Sequence, residues 1–132
     1  ARVRQWCPAV QVGIRSLDGA ERASADPERL FLAEDIQGRS GWIDRAVSLL
    51  TDEVYVTIDL DAFDISIMAA TGTPEPGGLG WYDVINLLKK VSKDKKIVGF
   101  DVVELCPNPY ARHCDYLAAK LVYRLLSYIF KE

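Results

Sequence analysis

Apolar and polar positions fall into blocks along the 132-residue chain, and the period of each block predicts its element. The densest block is Val54-Tyr-Val-Thr-Ile58, a β-branched and aromatic run with almost no polar relief. It predicts a strand buried on both faces, the habit of parallel sheets. Residues 9–15, AVQVGIR, predict an earlier strand ended by Gly13 and Arg15. Leu30–Ala33 predicts a short second strand and Lys96–Val103 a fourth. Helical spacing takes over between them. Apolar residues at 43, 46, 47 and 50 predict an amphipathic helix over Asp44–Leu50, entered through Trp42 and Ile43 with Ser40 as N-cap. Val84, Ile85, Leu88 and Val91 stripe a helix over Trp81–Ser92, and Leu117, Leu121 and Leu125 stripe a last one from His113 or Cys114 to Ile129. Ser16–Arg29 reads as a loop with a helical turn around Glu21–Ala25, and residues 65–80 read as irregular and glycine-rich. Strand and helix in alternation predict an α/β class with crossovers and a mostly parallel sheet.

The central strand closes on three carboxylates, Asp59, Asp61 and Asp64. Side chains alternate along a strand, so Asp59 and Asp61 point the same way if the strand continues through both. Ligand sites of open α/β sheets lie beyond the carboxyl ends of the strands, where this pair sits. Two adjacent like charges are costly unless a cation neutralises them, which points to a hard-cation site. The plainer alternative is that acids at a strand end cap the following turn. For Asp64 that structural role is the expected one.

Composition narrows the class. Apolar residues are 49% and charged residues 27% of the chain, the balance of a globular domain. A net charge of −3 and no basic cluster beyond Lys93–Lys96 argue against a nucleic-acid surface, and no apolar run reaches the length a membrane helix needs. Cys7, Cys106 and Cys114 form no C-x-x-C pair, which fits a reducing, cytoplasmic setting. The chain begins at Ala1 and its only methionine is Met68, so it reads as part of a longer parent.

Three segments taken in order carry a family resemblance: TIDLDAFD (57–64), ATGTPEPGGL (70–79) and VGFDVVELCP (98–107). In that order and spacing they resemble the C-terminal half of the ureohydrolases, the arginases and agmatinases. PEPGG and ELCP are closer to the agmatinase branch, and VQVGIRS (10–16) fits the strand that precedes this region. The resemblance implies a three-layer arginase-like fold, a mostly parallel sheet flanked by helices, of which residues 1–132 would be the C-terminal portion of one domain. It also implies hydrolysis of a guanidino group to urea and an amine at a binuclear Mn²⁺ centre that activates water. Asp59 and Asp61 match the family's second metal-binding motif and would act as ligands, and through that water in catalysis; carboxylate oxygens suit such hard ions. Glu104 matches the glutamate that binds the substrate guanidinium, a planar cation suited to a bidentate carboxylate. Thr73 matches the threonine that supports that glutamate. For Glu104 the plainer alternatives are a salt bridge or a helix cap, and Asp101 is expected to support the neighbouring side chains or the strand itself. The family's assembly into trimers or hexamers implies a homo-oligomer, or association with the missing N-terminal half.

The departures from the family pattern are specific. Its earlier histidine, its D-x-H-x-D motif and its proton-transfer histidine have no counterpart, and the only histidine, His113, fits a helix start or the surface. Ile65 and Ala69 stand where prolines are usual. Two aspartates cannot complete a binuclear shell. A second expectation therefore stands beside the first: a catalytically inactive ureohydrolase-like fragment or subunit. Aspartyl-phosphate chemistry, which also uses a hydrophobic strand ending D-x-D, is disfavoured by Phe63 two residues after the second aspartate.

Overall fold

The computed structural model describes residues 3–130. Two parallel strand pairs form its frame, β1 (Gln11–Ile14) with β2 (Leu30–Leu32) and β3 (Glu53–Asp59) with β4 (Lys96–Val103). The expected strands are thus present, and the 96–103 strand keeps its expected bounds. Among the described residues no ladder joins the two pairs into one sheet. The gap is spanned instead by a lone parallel bridge from Phe63 to Leu79, against which β1 packs. Gly13, at φ +81°, makes that approach possible, since a Cβ there would sit 3.0 Å from Leu79 Cδ1 and 3.6 Å from Ala62 Cβ.

The β3–β4 register sets Asp59 opposite Val103, so the residues that follow each strand leave at one end. Near the start of the pair the register slips: Val54 faces Ile97 but Tyr55 faces Gly99, leaving Val98 as the extra residue of a bulge. Gly99 belongs there because the Tyr55 ring lies over it, 2.9 Å from where a Cβ would stand.

The helices follow the apolar stripes. α4 (Trp81–Asp94) buries Val84, Ile85, Leu88 and Val91, and α5 (Arg112–Ile129) buries Cys114, Ala118, Leu121 and Leu125. Both pack on β4 and on each other, and the core they close includes Leu60, Phe63 and Met68. Fully burying Leu60, Leu121 or Leu125 is worth about 2 kcal/mol each. α1 (Gly19–Ser24) realises the expected turn through a capping box between Asp18 and Glu21. α2 (Ala33–Ile36) was not expected. It takes Ala33 from the end of the second strand, burying Ala33 and Ile36.

Two expectations are corrected. α3 runs Trp42–Ser48 and its N-cap is Gly41, at φ +83°, with no side-chain cap, so Ser40 does not serve. A left-handed residue turns the chain into the helix where a serine cap was expected. β3 is covered on one face only: Val54 and Ile58 are buried, whereas Tyr55 is 62% exposed and Thr57 and Asp59 are exposed too. The uncovered face continues on β4 as Val98, 56% exposed, and Val103. α4 and α5 supply one helical layer, and that layer lies on the other side. None of the described helices is long and apolar enough to cross a membrane.

Candidate metal and guanidinium site

Asp59 ends β3 and caps the short 3-10 turn Leu60–Ala62, its Oδ1 accepting the Asp61 amide at 2.8 Å. This turn corrects the expected geometry. The strand does not continue to Asp61, so the two carboxylates do not share a pleated face; Leu60 between them plunges into the core and the chain coils around it. Asp59 therefore does the capping work of the plainer reading with one oxygen, and its Oδ2 accepts no hydrogen bond from the described residues.

Asp61 is gripped by the loop that follows. Thr73 donates its hydroxyl to Asp61 Oδ2 and its amide to Oδ1 at 3.4 Å. Partial burial works to raise the Asp61 pKa, but the hydroxyl dipoles of Thr71 and Thr73, the Thr73 amide and the Arg15 charge outweigh it and hold the carboxyl below the usual range. The buried Thr71 hydroxyl acts there from outside hydrogen-bonding geometry.

Asp64 seats the same loop from the other side. Its Oδ1 accepts the Ser66 amide at 3.0 Å and its Oδ2 accepts the Gly77 and Gly78 amides at 2.7 and 3.1 Å. The Ser66 side chain and amide, with those two glycine amides, hold its pKa down to about 2. The structural role expected for Asp64 is the observed one. Gly77 is needed for its φ of +78°, and Gly78 because Phe63 and Asp64 backbone atoms lie 2.5 Å from any Cβ it could carry.

Arg15, read in sequence only as a strand terminator, is a central member of this cluster. Its Nη2 donates to the carbonyls of Asp61 (2.6 Å), Glu75 (3.0 Å) and Phe63 (3.3 Å). Its Nε lies 4.0 Å from Glu75 Oε2, which accepts the Ser16 hydroxyl at 2.6 Å. An arginine closing a half-buried strand was the available signal, since a cation delivered to a sheet's carboxyl end needs partners there.

Glu104 leaves β4 beside this cluster with its backbone at φ +68°, the sole positive-φ residue other than glycine among those described. Its carboxylate lies against Gly72, with Oε2 2.9 Å from where a Gly72 Cβ would stand. The Cys106 amide, bonded to the Ala70 carbonyl at 2.9 Å, ties the strand exit to the loop. Thr73 follows Gly72 in that loop, and its hydroxyl goes to Asp61 rather than supporting Glu104. Asp101 is structural, accepting the hydroxyls of Thr57 at 2.7 Å and Tyr55 at 3.0 Å across the strand pair. His113 is exposed in the first turn of α5.

Asp59 and Asp61 supply anionic oxygens of the kind manganese prefers, so the donor chemistry fits such an ion. The number does not complete a shell. Among the described residues no three His, Cys, Asp or Glu side chains converge to hold a metal. The carboxyl end of β3–β4 thus carries Asp59 and Asp61 at the end of one strand and Glu104 at the end of the other.

The chain is similar to known proteins in sequence and in fold. The chain is 36% identical over 125 residues to an N(1)-aminopropylagmatine ureohydrolase of Synechocystis, covering 92% of this chain and 40% of that protein. It is 40% identical over 122 residues to the Thermus thermophilus enzyme of the same name, covering 91% and 41%. The crystal structure of the agmatine ureohydrolase of Thermoplasma volcanium superposes with a TM-score of 0.74 at 30% identity, covering 92% of this chain and 42% of that one. The chain spans about two-fifths of the length of the relatives it matches. The two strand pairs and their helices are therefore part of an arginase-like fold, a parallel sheet flanked by helices. With the family model "Arginase family" matching residues 4–127, this chain belongs to the arginase family.

Proposed function

We propose that the protein to which these residues belong is a manganese-dependent amidinohydrolase of agmatinase type, releasing urea from a linear guanidino amine. The observation that carries the reading is the division of acids at one end of β3–β4: Asp59 and Asp61 follow one strand, Glu104 the other, with the Gly72-Thr73 loop against both. Asp59 and Asp61 would hold manganese together with ligands from outside this chain. The metal, when bound, supplies Lewis-acid activation of water. Glu104 binds the guanidinium, its two oxygens matching the fork of that cation. Its backbone supports a functional role, since a left-handed glutamate costs about 1–2 kcal/mol that an ordinary strand exit would avoid. Thr73 keeps Asp61 oriented and ionised. The agmatinase-like relatives favour an amine over an amino acid as substrate. By the same resemblance we take the protein to be a cytoplasmic homo-oligomer, a trimer or hexamer.

A second reading has its own support: no three metal-ligating side chains converge among the described residues, as in a non-catalytic ureohydrolase-like subunit. Intact mass separates the two at the start, since 14.7 kDa is this chain alone. Urea release is then measured with Mn²⁺ and a panel of agmatine, aminopropylagmatine, guanidinobutyrate and arginine. Turnover of an amine substrate that is lost in Asp59→Ala and on chelation, and restored by Mn²⁺ in the wild type, is the expected result. No urea from any of the four with manganese bound refutes the enzyme and leaves the subunit.

A further inference from the structure

We infer that Arg15 is a positioning residue for the acidic site, holding the turn after β3 and the Pro-Glu-Pro loop in the one register that brings Asp61 and Thr73 together. The inference rests on the function proposed above only for its effect on turnover. Asp61 is pinned on both sides of its Cα: its amide donates to Asp59 Oδ1 at 2.8 Å and its carbonyl accepts from Arg15 at 2.6 Å. With both flanking peptides fixed, the direction of the Cα–Cβ bond is fixed as well. Two residues beyond Thr73, the Glu75 carbonyl accepts from the same Arg15 nitrogen at 3.0 Å, while the Glu75 carboxylate is held by the neighbouring Ser16 at 2.6 Å. One side chain thus ties together the two backbone segments whose side chains meet at the Thr73–Asp61 hydrogen bond.

The geometry is not that of an arginine placed for an ion pair. The side chain is only 14% exposed, its nitrogen bonds go to carbonyls, and its Nε is buried without a hydrogen-bond partner, the nearest acid being 4.0 Å away. A guanidinium optimised for stability would turn that N–H to Glu75. Reaching the carbonyls of Asp61, Phe63 and Glu75 from one nitrogen gives up that bond and gains a three-point hold on the loop. Lysine offers a point charge on a flexible stem and lacks the planar fork that enters the gap at a set angle.

The test uses the intact protein with R15Q and R15K. Backbone amide exchange at Gly77, Gly78 and Leu79 reads the loop, calorimetric titration with Mn²⁺ alone reads the acids, and circular dichroism reads the fold. R15Q is expected to keep its helical spectrum, to exchange those three amides about tenfold faster, and to bind Mn²⁺ about tenfold more weakly, the usual effect of losing a ligand's support. R15K should fall between R15Q and the wild type. With an active enzyme, kcat should drop while KM moves less than about threefold, because β4 and not Arg15 delivers Glu104. Exchange and Mn²⁺ affinity within twofold of wild type, or exchange raised equally at all amides, overturns the assignment. If R15Q does not fold, R15K decides: it keeps the charge and loses the fork that reaches three carbonyls, and exchange at Gly77, Gly78 and Leu79 within twofold of wild type overturns the hold. Should the wild type release no urea while R15Q still loosens the loop and loses Mn²⁺, the positioning role stands and the proposed reaction falls.

Discussion

Gly78→Ala puts the seating of the loop to a quantitative test. A methyl group at this position would stand 2.5 Å from the Phe63 carbonyl carbon and oxygen and from the Asp64 amide nitrogen. All three are backbone atoms, so no rotamer change can relieve the clash. Ordinary contact requires the two segments to part by about 1 Å. Three hydrogen bonds cross that gap: Asp64 N–H to Leu79 O at 3.0 Å, Leu79 N–H to Ala62 O at 2.8 Å, and Gly78 N–H to Asp64 Oδ2 at 3.1 Å. At about 1 kcal/mol net for each, the substitution should cost about 2–3 kcal/mol. Gly77→Ala is the matched control. Nothing lies within 4 Å of its Cβ position, and only its φ of +78° opposes alanine. That strain, less the entropy alanine removes from the unfolded chain, comes to about 1 kcal/mol. Equilibrium unfolding of the intact protein in urea, followed by far-ultraviolet circular dichroism, measures both. A Gly78→Ala protein within about 0.5 kcal/mol of wild type, or a Gly77→Ala protein that loses as much, refutes the packing argument.

Gly72→Ala should behave in the opposite way. Its methyl meets only the end of the Glu104 side chain at 2.9 Å, so the melting temperature should hold while KM for a guanidino substrate rises severalfold in steady-state assays. Glu104→Gly should be as stable as wild type or up to about 1 kcal/mol more so in the same urea titration, because glycine accepts φ +68° without strain, yet lose guanidino turnover. Asp64 predicts an acid limb. Its folded pKa of about 2 lies below the ordinary 3.8, so its contribution is fully present above pH 3.8 and fades as pH falls toward 2. Melting temperature against pH should lose that part of its acid dependence in Asp64→Asn.

What the sequence determined by itself was the strands and the longer helices, and the acidic residues at the strand ends. The stripe Val84-Ile85-Leu88-Val91 marks α4, the run Lys96–Val103 marks β4 to the residue, and the ordered motifs around Asp59, Asp61 and Glu104 lead to the family. Such features are local: a period, a cap or a short motif is written in consecutive residues. Tertiary structure decided the rest. Whether a strand is covered on both faces depends on which helices lie over it, and Tyr55 and Val98 stay exposed although their neighbours read as core. Whether Asp59 and Asp61 share a face depended on Leu60, whose burial coils the chain into a turn where alternation predicted a strand. Thr73 turned to Asp61 rather than Glu104 because the loop that carries it is held from β1 by Arg15, a residue 58 positions away in the chain. No local pattern specifies a guanidinium that reaches carbonyls 46, 48 and 60 residues downstream. Only the folded chain brings those groups within bonding distance, and there the angular demands of hydrogen bonds select one arrangement.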